Sequence, residues 1–253
     1  MGSYMLNAIL FDLDNTLILY DEIEFYKQYF PRISRAFIDL WPAAEFRARL
    51  TAATLALLHN DGTKSNAEYF LDEFANGFPE RRGELWQRLM GFYATDYDDI
   101  QVPVALPESL HEVIDRLLAK GLKLVVASNP IFPLNVQMKR LGWAGLCHVP
   151  FELITTIENM SYVKPRVGYY MEICRKIGEV PQACMMVGND AVNDMVAAAA
   201  GLKTYQAGDA GEVDYASIRL SDKIQDPCEL DIPEPDFQGP LRNLVSAVET
   251  LTG

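Results

Sequence analysis

The segment Ala8-Ile9-Leu10-Phe11 is apolar at every position and stops abruptly at Asp12-Leu13-Asp14-Asn15-Thr16. A short run that is apolar on both faces reads as a central strand of a parallel sheet, covered above and below. Similar runs recur at residues 122–127 (LKLVVA), 151–155 (FELIT), 184–187 (CMMV) and 202–206 (LKTYQ), each separated from the next by a helical pattern. Leu110, Val113, Ile114, Leu117 and Leu118 repeat at helical spacing, opened by Pro107 and closed by Gly121, as one amphipathic helix requires. A second helix is expected from Arg166, with Tyr170, Ile173, Cys174 and Ile177 on one face and Gly178 as its stop. Strands alternating with helices predict an α/β fold with a doubly wound, mainly parallel sheet. Ligands of such sheets sit beyond the carboxyl ends of the strands.

Residues 18–105 break the alternation. They hold aromatic-rich helical stretches at 22–30 and 84–93, punctuated by Pro31, Pro42, Gly62, Gly77, Pro79 and Gly83, and no run that reads as a buried strand. The expected organisation is a core of residues 1–17 and 106–253, with 18–105 inserted as a small all-helical domain over the end of the first strand. The stretch 221–240 is proline-rich and acidic, and 241–251 reads as a closing helix.

The 253 residues are 49% hydrophobic and 23% charged, in the range of ordinary globular proteins. Thirty-five acids against twenty-two bases give a net charge of −13, which repels a phosphate backbone and argues against nucleic acid as a partner. No run approaches the roughly 20 apolar residues that span a bilayer, and the start lacks a basic flank with a long apolar stretch, so no membrane association and a cytoplasmic location are expected. Cys147, Cys174, Cys184 and Cys228 lack CxxC or zinc-like spacing and read as reduced thiols. His59, His111 and His148 are too scattered for a histidine metal site.

Two carboxylates at the end of a buried strand need compensation, and a bound cation is one form of it. A calcium loop is ruled out, because its sixth and twelfth positions would be Leu17 and Ile23, where Gly and Glu are required; an Asx-turn explains the motif equally well when it stands alone. Three further groups are expected at the same sheet edge. Ser128-Asn129-Pro130 follows LKLVVA and offers a hydroxyl and an N–H to a phosphate oxygen. In Val163-Lys164-Pro165, the proline would hold Lys164 extended, aiming its ammonium inward. CMMV ends in Gly188-Asn189-Asp190-Ala191-Val192-Asn193-Asp194, whose two acids would share the first turn of a helix.

In this order and topology the four motifs resemble those of the haloacid dehalogenase superfamily, in particular its phosphatases with a helical cap after the first motif and a Rossmann-like core. The resemblance covers residues 6–206. It implies that Asp12 attacks phosphorus, while Asp14 protonates the leaving oxygen and then activates water. Ser128 and Asn129 would bind the phosphoryl group and Lys164 would neutralise it together with Asp12. Mg²⁺ would be held by Asp12, the Asp14 carbonyl and a motif-four acid. Because Asn189 follows Gly188 where many relatives carry Asp, that ligand is Asp190, the better electrostatic partner, or Asn189 through its amide oxygen; Asp194 would act through water or by orienting Lys164. The expected activity is Mg²⁺-dependent hydrolysis of a small phosphorylated metabolite through an aspartyl-phosphate. A phosphomutase on the same core and a non-catalytic binding protein are the alternatives. Dehalogenation is disfavoured, since carbon–halogen displacement needs no second carboxylate such as Asp14. Neither the substrate nor the oligomeric state is encoded in these motifs.

Overall fold

In the computed structural model, which describes residues 5–211 and 232–252, the apolar runs become strands of one sheet. They are β1 (Ala8–Phe11), β2 (Lys123–Val126), β3 (Leu153–Ile154), β4 (Cys184–Gly188) and β5 (Lys203–Ala207), joined by β6 (Phe237–Gly239). The order is β3-β2-β1-β4-β5-β6, parallel throughout. The chain runs outward from β1 to β3, then returns past β1 to start the other half at β4. That reversal opens a crevice at the carboxyl ends of β1 and β4. Register aligns the ends: Phe11 lies opposite both Val126 and Val187, so Asp12, Ser128 and Gly188 emerge together.

The strands are apolar on both faces because each face has its own core. Ile9, Phe11, Leu124, Val126, Met185 and Val187 pack against α5 (Leu110–Ala119), Leu141 of α6 (Leu134–Trp143), and α9 (Leu244–Thr252). Ala8, Leu10, Val125, Cys184 and Met186 alternate with them and meet Tyr169, Tyr170, Ile173 and Cys174 of α7 (Val167–Ile177). Both predicted helix stops fall in place, Gly121 at φ +76° and Gly178 at φ +71°, where the left-handed backbone favours glycine.

The remaining segment folds as α1 (Glu22–Arg35), α2 (Ala43–Ala56), α3 (Asn66–Phe74), α4 (Arg82–Ala94) and a 3₁₀ turn at Asp96–Asp99. Its aromatics form a third core with Phe132, Val136, Ile157 and Val163 from the sheet region. Leu19 and Ala105 exchange N–H···O bonds of 2.9 and 2.8 Å, so the chain leaves and re-enters side by side.

Three elements depart from expectation. Helix α1 runs through Pro31: a proline inside a helix costs about 3 kcal/mol, but Phe25, Tyr29, Phe30 and Ile33 are all buried on α1, each contributing roughly 1.5–3 kcal/mol. The run at 151–155 yields only the two-residue β3, half-buried at the sheet edge with β2 as its sole strand neighbour. Strand β6 arises within the proline-rich tail, too short to carry a period, and pairs Phe237 with Tyr205; residues 221–231, including Cys228, lie outside the described residues. The closing helix begins with a 3₁₀ turn at Leu241–Asn243. Cys147, Cys174 and Cys184 are free thiols. Among the described residues, no helix is long and apolar enough to cross a membrane.

Candidate active site

Asp12 is fixed by its own backbone, whose N–H donates to the Val187 carbonyl at 2.8 Å. Beyond it the chain turns back on itself, with Leu17 N–H donating to Leu13 O at 2.9 Å and Asn15 at φ +60°, a conformation that asparagine tolerates. The turn returns the Thr16 hydroxyl to 3.5 Å from Asp12 Oδ2 and 3.2 Å from Asn189 Oδ1. The first and fourth motifs thus meet across β1 and β4.

Lys164 comes from the loop before α7, and its peptide bond to Pro165 is cis. Its ammonium, 1% exposed, donates to Asp12 Oδ1 at 2.7 Å and to Asp194 Oδ1 at 2.6 Å. Asp194 ends the single turn α8 (Ala191–Asp194) and is wholly buried; its Oδ2 accepts the Asp190 N–H at 3.0 Å. Gly188 is required by this arrangement, because a Cβ there would collide with the Asp194 carboxylate. Asp190 caps α8, its Oδ1 accepting from the N–H groups of Val192 and Asn193 at 2.9 and 3.1 Å, and its Oδ2 from the Asn193 side chain at 2.8 Å. Both motif-four acids therefore share the first turn, one as its cap and one facing Lys164.

Ser128 is buried, and its carbonyl accepts from Thr155 Oγ1 at 2.7 Å and the Tyr169 hydroxyl at 2.8 Å. Those bonds immobilise the turn that carries it. Beside it, the side-chain oxygen of Asn129 is buried with no hydrogen-bond partner among the described residues. Such an orphan is costly unless something else occupies the site.

The electrostatics are strained in one direction. Burial pushes the Asp12 carboxyl up to about 8, Lys164 pulls it back, and Asp194 and Asp14 push it further. Burial also raises Asp194, against the pull of Lys164. Burial alone would lower Lys164, but the two carboxylates hold its ammonium well above the ordinary range. One lysine between the largely buried Asp12 and the wholly buried Asp194 leaves a surplus negative charge, which a low-dielectric site resists.

Asp14 lies at the border with the helical segment. Its Oδ1 accepts the Tyr20 hydroxyl at 2.9 Å and its Oδ2 accepts Arg140 Nη1 at 2.7 Å. Nearby, Glu22 Oε1 accepts from Asn15 at 3.1 Å, and burial with Asp14 close by pushes this carboxyl up to about 7 against the pull of Arg140. Arg140 and Glu22 are absent from the sequence-derived site. The readable trace of Arg140 is that it falls with Val136, Gln137 and Leu141 on the buried stripe of α6, where an apolar residue belongs. A separate, largely aromatic cavity lies between the helical segment and the loop after Ser128, lined by Tyr29, Phe70, Trp86, Tyr93, Ile131 and Phe132 among others; none of the acids above borders it.

Among the described residues, no three His, Cys, Asp or Glu side chains converge into a metal cage. The Asn189 amide oxygen is nonetheless tied to Asp12 through the Thr16 hydroxyl, and the Asp190 carboxylate caps the turn that follows it. Around them, Asp12 and Asp194 share Lys164 and Asp14 pairs with Arg140, while the carboxyl groups of Glu22 and Asp190 add to the negative charge. A few hard oxygens with surplus negative charge suit Mg²⁺, which keeps several of its waters.

Residues 6–201 match the model of the haloacid dehalogenase-like hydrolases, and the chain belongs to that family. It is therefore a hydrolase by descent, built on the family's Rossmann-like core. Among its relatives, the phosphoglycolate phosphatase of Xylella fastidiosa is 26% identical over 202 residues, 79% of each chain. The glyceraldehyde 3-phosphate phosphatase of Methanothermobacter thermautotrophicus is 27% identical over 198 residues, 77% of this chain and 81% of that one. Among solved structures, the 2-haloacid dehalogenase from Pseudomonas syringae pv. Tomato superposes with a TM-score of 0.58 at 18% identity, covering 97% of this chain and 99% of that one. At that identity the likeness is one of fold.

Proposed function

We propose that this chain is a Mg²⁺-dependent phosphomonoesterase acting on a small phosphorylated metabolite through an aspartyl-phosphate on Asp12. The observation that carries the reading is the buried ammonium of Lys164 held between Asp12 and Asp194 at the switch point of the sheet. The ammonium fixes the attacking carboxylate in place, and Mg²⁺ would supply the further positive charge that a phosphoryl group needs. Positioning and charge neutralisation are most of what phosphoryl transfer needs.

A carboxylate oxygen of Asp12 attacks phosphorus as the bond to the ester oxygen breaks, and Asp14 gives its proton to that oxygen. Asp14, now a carboxylate, takes a proton from water as the water oxygen attacks phosphorus. The bond to Asp12 then breaks, releasing phosphate. Lys164 offsets charge on Asp12 and on the phosphoryl oxygens throughout, and Ser128 with Asn129 holds the phosphoryl group. Asp12, the Asp14 carbonyl and Asp190 would hold Mg²⁺, with Asn189 as the alternative third donor; bound there, the ion supplies positive charge at the phosphoryl oxygens. Residues 18–105 serve as a cap that excludes water and selects the leaving group. Two relatives named as phosphatases, and a second carboxylate at Asp14 placed to serve an alkoxide, support hydrolysis of phosphate esters over halides.

The test is a panel of metabolite phosphates with purified protein. Free phosphate is expected to appear with Mg²⁺, to fall by at least about 100-fold in EDTA, and to return when Mg²⁺ is restored. Full turnover in EDTA would remove the metal from the mechanism. Isomerisation of a sugar monophosphate faster than phosphate release would assign the site to a mutase.

A further inference from the structure

Among the described residues, Arg140 is the largest side chain that is fully buried, with 1% of its surface exposed. It sits on α6, outside all four motifs. Its Nη1 donates to Asp14 Oδ2 at 2.7 Å and its Nε to the Tyr97 hydroxyl at 3.0 Å. The guanidinium lies 4.4 Å from the ring centre of Phe132 and 5.1 Å from that of Phe25, so two rings fix its plane. Burying a guanidinium is expensive, and an apolar side chain of similar length would fill the same space with no desolvation cost. The charge therefore has to be accounted for by what it touches, and the acid it touches is Asp14.

We propose that Arg140 is a positioning residue for Asp14, fixing the carboxylate that passes protons to the leaving oxygen and from water. The proposal rests on the phosphatase reading of Asp12 and Asp14. Tyr20 completes the clamp: it occupies Oδ1 while Arg140 occupies Oδ2, so the carboxylate is held at both ends. Two donors, one on each oxygen, set orientation as well as distance. The clamp also spans the two parts of the molecule. Tyr20, Phe25 and Tyr97 belong to the segment of residues 18–105, whereas Arg140 and Phe132 belong to the sheet region. The placement of the helical segment over the sheet thereby sets the placement of the proton-transferring group.

The two proton transfers can be separated with 4-nitrophenyl phosphate, whose leaving group departs without a proton. Asp14 is then needed only for the second step, hydrolysis of the aspartyl-phosphate. For Arg140→Met in Mg²⁺, rapid mixing should show a burst of one nitrophenolate per enzyme at a rate within about 3-fold of wild type. Steady-state turnover should fall by roughly 10²-fold, with a hydroxylamine-sensitive phosphoenzyme accumulating. Arg140→Lys should recover part of the steady-state rate. Tyr20→Phe, which removes a single hydroxyl, should show the same separation in weaker form and keeps the test open if Arg140→Met does not fold. A burst and steady state that fall together, or a steady state that stays at the wild-type rate, would overturn the proposal. Wild-type protein that releases no nitrophenolate, or releases it equally well as Asp12→Asn, would overturn the phosphatase reading itself.

Discussion

Asp12→Asn is expected to abolish phosphate release, by at least about 10⁴-fold, without loss of the fold. The kinetic half follows from chemistry: an amide is not a nucleophile toward phosphorus, and removal of a nucleophile costs about as much as removal of the whole constellation it works with. The structural half follows from the charge count around Lys164. Wild-type Asp12 is largely buried, its carboxyl driven up to about 8, and the same ammonium is also held by Asp194 at 2.6 Å. Replacing Asp12 with a neutral isostere leaves one lysine facing one carboxylate, a balanced pair in place of a surplus negative charge. The backbone bond from residue 12 to Val187 O is untouched. The melting temperature in metal-free buffer should therefore equal or exceed that of wild type. Near-normal turnover by the variant would end the covalent mechanism, and a melting temperature well below wild type would show that Asp12 contributes to the fold.

How far a site like this can be read from sequence depends on where its residues lie relative to the strands. Asp12 and Ser128 directly follow runs whose apolarity on both faces marks them as central strands, and Asp190 follows a third after Gly188 and Asn189, so their shared edge follows from topology alone. Lys164 was legible for a different reason, standing beside Pro165 and just ahead of a clearly periodic helix. Arg140 was not. It comes from the face of α6 that a periodicity argument assigns to the core, and its significance exists only once Tyr20 and Tyr97 arrive from residues far away in the chain. Glu22 was hidden in the same way, as an ordinary acidic residue in the first turn of α1 until Asn15 and Asp14 lie beside it. The sheet edges failed for want of length. Two residues in β3 and three in β6 carry no period, and their pairing is decided by the neighbouring strand. Pro31 misled because a local backbone penalty was outweighed by aromatic burial that only the tertiary structure provides. Residues placed by their own strand end are readable, and those whose place is set by a partner from elsewhere in the chain become visible when the partner is in place.

Lys164→Met is expected to be the most destabilising single change at the site. It leaves the largely buried Asp12 and the wholly buried Asp194 without the cation at 2.7 and 2.6 Å that they share. Removing one partner from a buried ionic group typically costs 3–5 kcal/mol, and for a chain of this size that lowers the melting temperature by roughly 10 °C. The loss should depend on pH in a definite direction. Burial already raises Asp12 to about 8 from an ordinary 3.8, and Asp194 moves the same way; without Lys164 both rise further. Between those limits the folded state binds more protons than the unfolded state, so its stability increases as pH falls. In metal-free buffer the gap in melting temperature between the variant and wild type should therefore narrow as pH falls from about 9.5 toward 8, where Asp12 is protonated in the variant but still ionised in wild type. A double substitution adds an independent check. Asp12→Asn removes one of the two stranded charges, so the pair Asp12→Asn with Lys164→Met should be less destabilised than Lys164→Met alone, a coupling readable in a double-mutant cycle. A Lys164→Met protein that melts with wild type, or a deficit that does not shrink as pH falls toward 8, would mean that the lysine is not what offsets the charge of these two acids.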